Sequence, residues 1–173
     1  MRRIVFVAMA TLGVVVPSML AAQMPMPTAG PEHKRMNYFV GTWTFTGTAK
    51  DTPMGKGGPI TLKETCELMD GGFAVVCRSD GKGPTGPQKA VSIMSYDAEK
   101  KAYSFTAAES NMPVFTASGQ VTGPTWTWTT QASGMTMRVT VTEKDPKAYD
   151  FVMEMSMDGK TFARIAEAKV TKG

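Results

Sequence analysis

The chain carries at residues 41–47 the stretch Gly41-Thr42-Trp43-Thr44-Phe45-Thr46-Gly47. Large rings alternate with threonines, so an extended backbone places Trp43 and Phe45 on one face and Thr44 and Thr46 on the other. The glycine at each end allows the backbone to turn before the strand and to bend within it. We therefore interpret this stretch as a β-strand with one apolar face and one hydroxyl-rich face.

The rest of the chain repeats this pattern in short segments. Turn-forming residues, chiefly glycine, proline and aspartate, separate the segments, and no stretch after residue 40 has helical periodicity. Before them, Pro31 suits a first helical position, and Met36, Phe39 and Val40 have helical spacing, which favours a short helix at residues 31–40. Strands are predicted at residues 42–49, 60–69, 73–79, 90–96, 102–110, 114–121, 125–130, 136–143, 148–157 and 160–171.

Short connections make strands that follow one another in sequence neighbours in the sheet. A long meander has two edges, and closing the sheet on itself removes both. The predicted fold is all-β: a single antiparallel up-and-down β-barrel of about ten strands with a short N-terminal capping helix. Rings and thioethers would face the interior, and threonines and charges the water. A membrane barrel, the alternative, would place apolar residues and aromatic girdles outside.

The first residues have the features of a secretory signal peptide. Arg2 and Arg3 precede an uncharged apolar run at residues 4–16, and Ala21 and Ala22 supply small residues for cleavage. The run is shorter than the roughly 20 apolar residues that span a membrane, and an uncleaved anchor is the alternative. We predict a signal peptide at 1–22, a flexible leader at 23–30 and a barrel domain at 31–173. The mature protein would be secreted or periplasmic, without stable membrane insertion.

The charge of the chain argues against a nucleic-acid partner. The chain has 19 Lys and Arg residues against 15 Asp and Glu residues, a net charge of +4. Cleavage of the signal peptide would remove two of the positive charges. The remaining lysines lie scattered beside predicted turns, whereas a nucleic-acid binder clusters them on one face.

The two cysteines, Cys66 and Cys77, flank a hairpin signal at Asp70-Gly71-Gly72. A two-residue Gly71-Gly72 loop would place the cysteines opposite each other on one face. That loop makes them a hydrogen-bonded pair, with Cα atoms about 5.5 Å apart, which is within bridging range. A secreted location favours a disulfide, and two reduced thiols in the core are the alternative.

Three motifs carry a family resemblance. They lie at residues 38–43 (Tyr-Phe-Val-Gly-Thr-Trp), at 68–73 (Leu-Met-Asp-Gly-Gly-Phe) and at 151–162, where Asp158-Gly159 follows a methionine-rich strand. Their order and spacing resemble a bacterial secreted family that is known only as a domain of unknown function. The resemblance implies a lipocalin-like, calycin-type barrel, distantly similar to nitrobindin and fatty-acid-binding proteins, and no settled activity. Nitrobindin-like barrels hold haem through a late-strand histidine, but the one histidine here, His33, precedes the barrel.

An interior of rings and methionines predicts a pocket for a small hydrophobic or amphipathic ligand, because thioether side chains adapt their shape to what they contact. The alternative is a non-enzymatic structural or interaction module whose barrel is packed solid and holds no ligand. The predicted ligand-binding residues are Trp43, Phe45, Phe105, Trp126, Trp128, Met135, Met137, Phe151, Met153, Met155 and Arg164.

Arg164 is the one charged residue in this set. It shares the parity of Phe162, and an inward arginine could hold a ligand carboxylate by two hydrogen bonds. The alternative is an outward arginine paired with a neighbouring acid, and Ala163 and Ile165 leave the phase of this strand open.

Catalytic motifs are missing from the sequence. It has no nucleophile elbow, no metal-ligand histidine pair, no cysteine–histidine arrangement and no phosphate loop between a strand and a helix. We expect no enzymatic activity, no metal and no cofactor.

Overall fold

The computed structural model describes residues 28–53 and 55–173. Ten antiparallel strands form a closed barrel, in which each strand pairs with its neighbours in sequence and the first strand pairs with the last. This confirms the predicted up-and-down barrel. The predicted signal peptide and the leader as far as residue 27 lie outside the described residues. The strands are β1 Gly41–Ala49, β2 Gly58–Leu68, β3 Ala74–Gly83, β4 Gly86–Asp97, β5 Ala102–Glu109, β6 Met112–Thr122, β7 Thr125–Ala132, β8 Met135–Asp145, β9 Ala148–Ser156 and β10 Ala163–Lys172.

A short helix covers one end of the barrel. Helix α1, Pro31–Arg35, continues into a 3₁₀ turn at Met36–Phe39. The Tyr103 hydroxyl donates a hydrogen bond of 3.1 Å to the carbonyl of Glu32, and the Tyr38 hydroxyl lies 2.9 Å from the carbonyl of Ala148. We call this the closed end, and the opposite end, where β1 finishes and β2 begins, the open end. No helix in the described ranges is long and apolar enough to cross a membrane.

The densest part of the core lies at the closed end. Met36, Trp43 and Trp126 have no exposed surface, and the indole nitrogen of Trp43 donates a 2.6 Å hydrogen bond to the carbonyl of Phe39. The Trp126 and Phe39 rings meet edge to face, with their centroids 4.9 Å apart. Burial of these large rings holds the helix against the barrel.

The gap between the strands predicted at residues 73–79 and 90–96 is too wide, because β3 extends to Gly83 and β4 begins at Gly86. Strands β3 and β4 remain paired as far as Gly83 and Gly86. A Cβ at Gly81 would collide with the carbonyl oxygen of Thr61 on β2. Glycine is therefore needed here for the close approach of two strands, and not for a turn.

The strands predicted at residues 148–157 and 160–171 leave only Asp158-Gly159 between them. The connection is longer than this, since β10 begins only at Ala163. The Asp158 carboxylate accepts hydrogen bonds from the backbone nitrogens of Lys160, at 2.8 Å, and Thr161, at 2.7 Å. The Ser156 hydroxyl donates a third, at 2.8 Å. These bonds hold the carboxylate in its charged form, so the pKa of Asp158 is well below its usual value.

A disulfide joins Cys66 to Cys77, and the two residues are directly opposed, as predicted. The loop between them differs from the prediction. The nitrogen of Met69 donates to the carbonyl of Ala74 at 2.9 Å, so residues 70–73 form a four-residue loop. Widening the loop keeps the pairing but reverses the alternation of hydrogen-bonded pairs. The cysteine Cα atoms accordingly lie 4.0 Å apart, closer than expected for a hydrogen-bonded pair.

The disulfide supplies the first test of the fold. We expect replacement of both cysteines by alanine to lower the free energy of unfolding by about 2–3 kcal/mol, because the bridge closes a loop in the unfolded chain. Urea unfolding followed by tryptophan fluorescence measures this loss. Wild-type protein under reducing conditions should match the double variant, which reducing agent should leave unchanged. An unaltered unfolding midpoint would contradict this account of the bridge.

Candidate ligand-binding site

Strand register decides which side chains face the interior. On β8 and β9, Met137 lies directly opposite Met155, and Val139 lies opposite Met153. Met135 follows at the open end of the same inner face. All four methionines are half-buried although they point inward. We call these residues, Met135, Met137, Met153 and Met155, the methionine wall.

The predicted aromatic residues divide into two layers. Trp43, Trp126 and Trp128 are buried at the closed end, where the Trp126 and Trp128 rings stack with centroids 6.0 Å apart. They pack as core. Phe45, Phe105 and Phe151 are only partly buried and pack against that core. These three rings therefore lie between the packed closed end and the methionine wall.

The inner faces of β3, β4, β5 and β10 include small side chains. Ala166 on β10 lies opposite Met153, while Gly81 on β3 and Ala90 on β4 share the inner face with Ser79. Ala107 continues this face on β5. Small and flexible side chains thus line the open half of the barrel, whereas rings fill the closed half.

Glu64 introduces an acid into this interior. Its register partners are Trp43 on one side and Ser79 on the other, which places it on the inner face of β2. Burial raises the pKa of its carboxyl from 4.5 to about 7. The residues described by the structure give Glu64 neither a hydrogen bond nor an ion pair, yet none of their fully buried side-chain oxygens lacks a partner. The Glu64 carboxyl oxygens are therefore not fully enclosed by protein atoms.

Tyr149 lies on β9 and brings a hydroxyl to the same interior. Its ring packs against Trp43, with centroids 5.0 Å apart, and against Phe45, with centroids 5.9 Å apart. Burial raises the pKa of the Tyr149 hydroxyl well above its usual value, and the charge of Glu64 raises it further. The hydroxyl and the carboxyl are thus close enough to interact electrostatically.

Arg164 does not belong to this interior: of the two faces that the sequence left open, the structure places it on the outer one, so it does not line the predicted pocket. Its guanidinium pairs with Glu167 at 2.9 Å on the outer wall. Strict alternation from Ala166, Ala168 and Val170, which face inward, would also turn Arg164 inward. A β-bulge between Arg164 and Ala166 shifts the register and reverses the face.

The other ten of the eleven predicted ligand-binding residues all lie on the inner face of the barrel. Residues 28–172 match the family model described as "Protein of unknown function (DUF1579)". The chain belongs to the DUF1579 family. This confirms the resemblance to a lipocalin-like family of unknown function. No curated protein matches the sequence.

Solved structures share the fold of this DUF1579 barrel at low sequence identity. Rv2717c from M. tuberculosis superposes with a TM-score of 0.58 and 10% identity, over 83% of this chain and 98% of that chain. The S-type phycobiliprotein lyase CPES from Guillardia theta gives a TM-score of 0.57 and 8% identity, over 82% of this chain and 92% of that chain. Both likenesses show the barrel architecture alone.

Sequence reasoning did not single out Glu64 or Tyr149 in this DUF1579 protein as site residues. A signal for Glu64 was present, since it stands two positions before Cys66 and strand alternation gives both the same face. An inward disulfide therefore implies an inward Glu64. No comparable signal marks the polar tip of Tyr149, because tyrosine is common in packed cores, where a protein group usually satisfies its hydroxyl.

Proposed function

We propose that this DUF1579 barrel binds a small apolar or amphipathic molecule in its open half. The observation that carries the proposal is the methionine wall, whose side chains point inward, remain half-buried and face small residues. Methionine is flexible and polarisable, so such a wall can adapt to an apolar ligand. Concave, mostly apolar sites with a few polar groups are typical of small-molecule binding.

A binding role is favoured over a catalytic one. The one histidine, His33, lies at the closed end, with its ring 5.0 Å from that of Phe73 and 5.7 Å from that of Tyr96. General acid–base catalysis and haem ligation most often use a histidine within the site. We therefore propose a carrier or sensor without enzymatic activity.

We also propose that the protein works outside the cytoplasm. The predicted signal peptide at residues 1–22 and the Cys66–Cys77 disulfide support an oxidising compartment. Sequencing the N-terminus of protein purified from its own cells tests this. A mature chain that begins at Gln23 is expected, and a chain that still carries the apolar run would contradict it.

The binding proposal is tested with N-phenyl-1-naphthylamine, a neutral apolar fluorophore. Wild-type protein should bind it with increased emission. Met155→Asp should weaken binding at least about tenfold, since burial of a methionine contributes about 1.5–3 kcal/mol and the new carboxylate disfavours an apolar ligand. Titration of fluorescence against protein concentration measures the dissociation constants, and melting temperatures establish that both proteins are folded.

Met157→Asp provides the matched control. It is the same substitution two residues along the chain, at a side chain that is 70% exposed. Binding should match that of wild-type protein. If neither variant weakens binding, or if both weaken it equally, the methionine wall is not the site, and a wild-type protein that does not bind the fluorophore would refute the proposal.

An interaction surface is the second candidate function. Val91 and Ile93 point outward from β4 and are 45% and 46% exposed, and Val91 borders a broad groove on the outer wall together with Arg78 and Ala108. Exposed apolar side chains beside a groove favour contact with another protein. Native mass spectrometry separates the candidates: a bound small molecule supports the interior site, and a bound protein that Ile93→Asp releases supports the outer wall.

A further inference from the structure

Among the described strands, no arginine or lysine side chain faces the open half of the barrel interior. All arginines of the barrel strands lie on the outer face: Arg138 pairs with Glu154 at 2.8 Å, Arg164 with Glu167 at 2.9 Å, and Arg78 is exposed beside the outer groove. Among the described strand lysines, only Lys172 shares the inner face. Its ammonium lies over the Trp43 ring, 4.9 Å from the centroid, at the closed end.

Acidic groups do occur on the inner face, and most have partners. Glu143 pairs with Arg35 at 2.6 Å and accepts a 2.6 Å hydrogen bond from the Trp126 indole. Glu109, near the open end, accepts a 2.9 Å hydrogen bond from the side chain of Gln88. Among the inward acids of the described strands, Glu64 alone has neither kind of partner.

An unpartnered carboxylate in a partly dehydrated site is costly, because burial disfavours its charge. A bound molecule that brings a positive charge or strong hydrogen-bond donors would offset this cost. Tyr149 shares the inner face with Glu64 and packs against Trp43, the register partner of Glu64, so its hydroxyl supplies a second polar group in this part of the interior. The interior thus has the methionine wall in its open half and, nearer the closed end, the Glu64 carboxyl and the Tyr149 hydroxyl.

We infer that the ligand is a cationic amphiphile, whose amine or ammonium group binds the Glu64 carboxylate beside the Tyr149 hydroxyl while its apolar part contacts the methionine wall. This inference rests on the proposed binding function and specifies its ligand class. Fatty acids are disfavoured, because a buried ligand carboxylate needs a cation and the arginines of the barrel strands face outward. In this respect the barrel differs from what its resemblance to fatty-acid-binding proteins implies.

Three probes with one alkyl chain test the inference: dodecylamine, dodecanol and dodecanoate, each used below its aggregation concentration to displace N-phenyl-1-naphthylamine. At pH 8 dodecylamine should compete at least about tenfold better than either of the others. The amine and the carboxylate keep their charges between pH 6 and pH 8, since their pKa values resemble those of lysine and glutamate. A change in the preference for dodecylamine over this range therefore reflects titration of the protein. We expect the preference to weaken towards pH 6.

Variants assign that change to a residue. Glu64→Gln should remove the preference for the amine and its pH dependence while leaving dodecanol within about twofold. Glu167→Gln, an exposed acid on the outer wall, should behave as wild type. The other groups on the inner face of the described strands that carry charge or titrate are Tyr96, Tyr103, Tyr149, Glu109, Glu143 and Lys172. Burial raises the pKa of Glu64 to about 7.

The outcomes separate this inference from the proposed function. If the fluorophore binds but dodecanoate or dodecanol competes as well as the amine, the cationic ligand class is wrong and the binding site stands. A preference that survives Glu64→Gln also overturns the inference. If the fluorophore does not bind at all, the proposed function fails, and the inference fails with it.

Discussion

Trp43→Ala is expected to lower the free energy of unfolding by about 4 kcal/mol, the usual cost of truncating a fully buried tryptophan. Trp43 has no exposed surface and contacts Tyr38 and Tyr149, with ring centroids 5.6 and 5.0 Å away. Its indole also holds the carbonyl of Phe39, where the 3₁₀ turn joins β1. The substitution would open a cavity where the helix, β1 and β9 meet.

Trp43→Phe separates packing from the hydrogen bond. The ring is largely retained, but the carbonyl of Phe39 loses its donor, so we expect a smaller loss of about 1–2 kcal/mol. Urea unfolding of both variants, followed by the fluorescence of the remaining tryptophans, measures the two losses. A Trp43→Ala protein within about 1 kcal/mol of wild type would contradict a closed end that depends on this ring.

The order and faces of the strands could be predicted from sequence because both follow from a period of two. Trp43 and Phe45 on β1, or Met153 and Met155 on β9, alternate with polar residues, and only one assignment buries the apolar set. Closure follows from the short connections, since an unclosed meander would leave two edges unpaired. These features depend on local pattern, which the sequence displays directly.

Arg164 shows where this reasoning stops. One extra residue in β10 reverses the face of everything before it, and the position of such a bulge depends on the partner strand. Gly81 was assigned to a loop for a similar reason: a glycine that allows two strands to approach has the same sequence signal as one that allows a turn. In both cases tertiary pairing decides the local conformation.

The character of the candidate site was predicted only in part. The inward orientation of the methionine wall follows from alternation. The division of the rings into a buried set at the closed end and a partly buried set beside it depends on where the helix covers the barrel. Glu64 was not singled out because its importance lies in lacking a partner. The sequence shows which acids and bases exist, and only the fold shows that the strand arginines lie outside while this acid lies inside.

The stability of the protein should fall as the pH rises from about 4.5 to about 7, through Glu64. Burial raises the pKa of Glu64 to about 7 in the folded protein from 4.5 in the unfolded chain. Between these values the folded state holds a proton that the unfolded state has released. Linkage then removes stability at about 1.4 kcal/mol per pH unit, a total of about 3 kcal/mol by pH 8.

Glu64→Gln isolates this effect, because glutamine does not titrate. The difference in unfolding free energy between variant and wild type should move in favour of the variant by about 3 kcal/mol between pH 4.5 and pH 8. The pKa values of Asp97, Asp150 and Asp158 are lowered, so these residues change stability below pH 4 and largely cancel in the comparison. Urea unfolding of both proteins at each pH measures the difference.

Glu167→Gln on the outer wall is the matched control and should show no such trend. A difference between Glu64→Gln and wild type that stays constant with pH would mean that the Glu64 carboxylate is fully hydrated in the barrel. Removing an unpartnered buried charge should relieve the folded state, whereas removing a partnered one leaves the partner unsatisfied and costs stability. If Glu64→Gln is more stable than wild type above pH 7, no protein group pairs with the Glu64 carboxylate. If it is less stable, a protein group does.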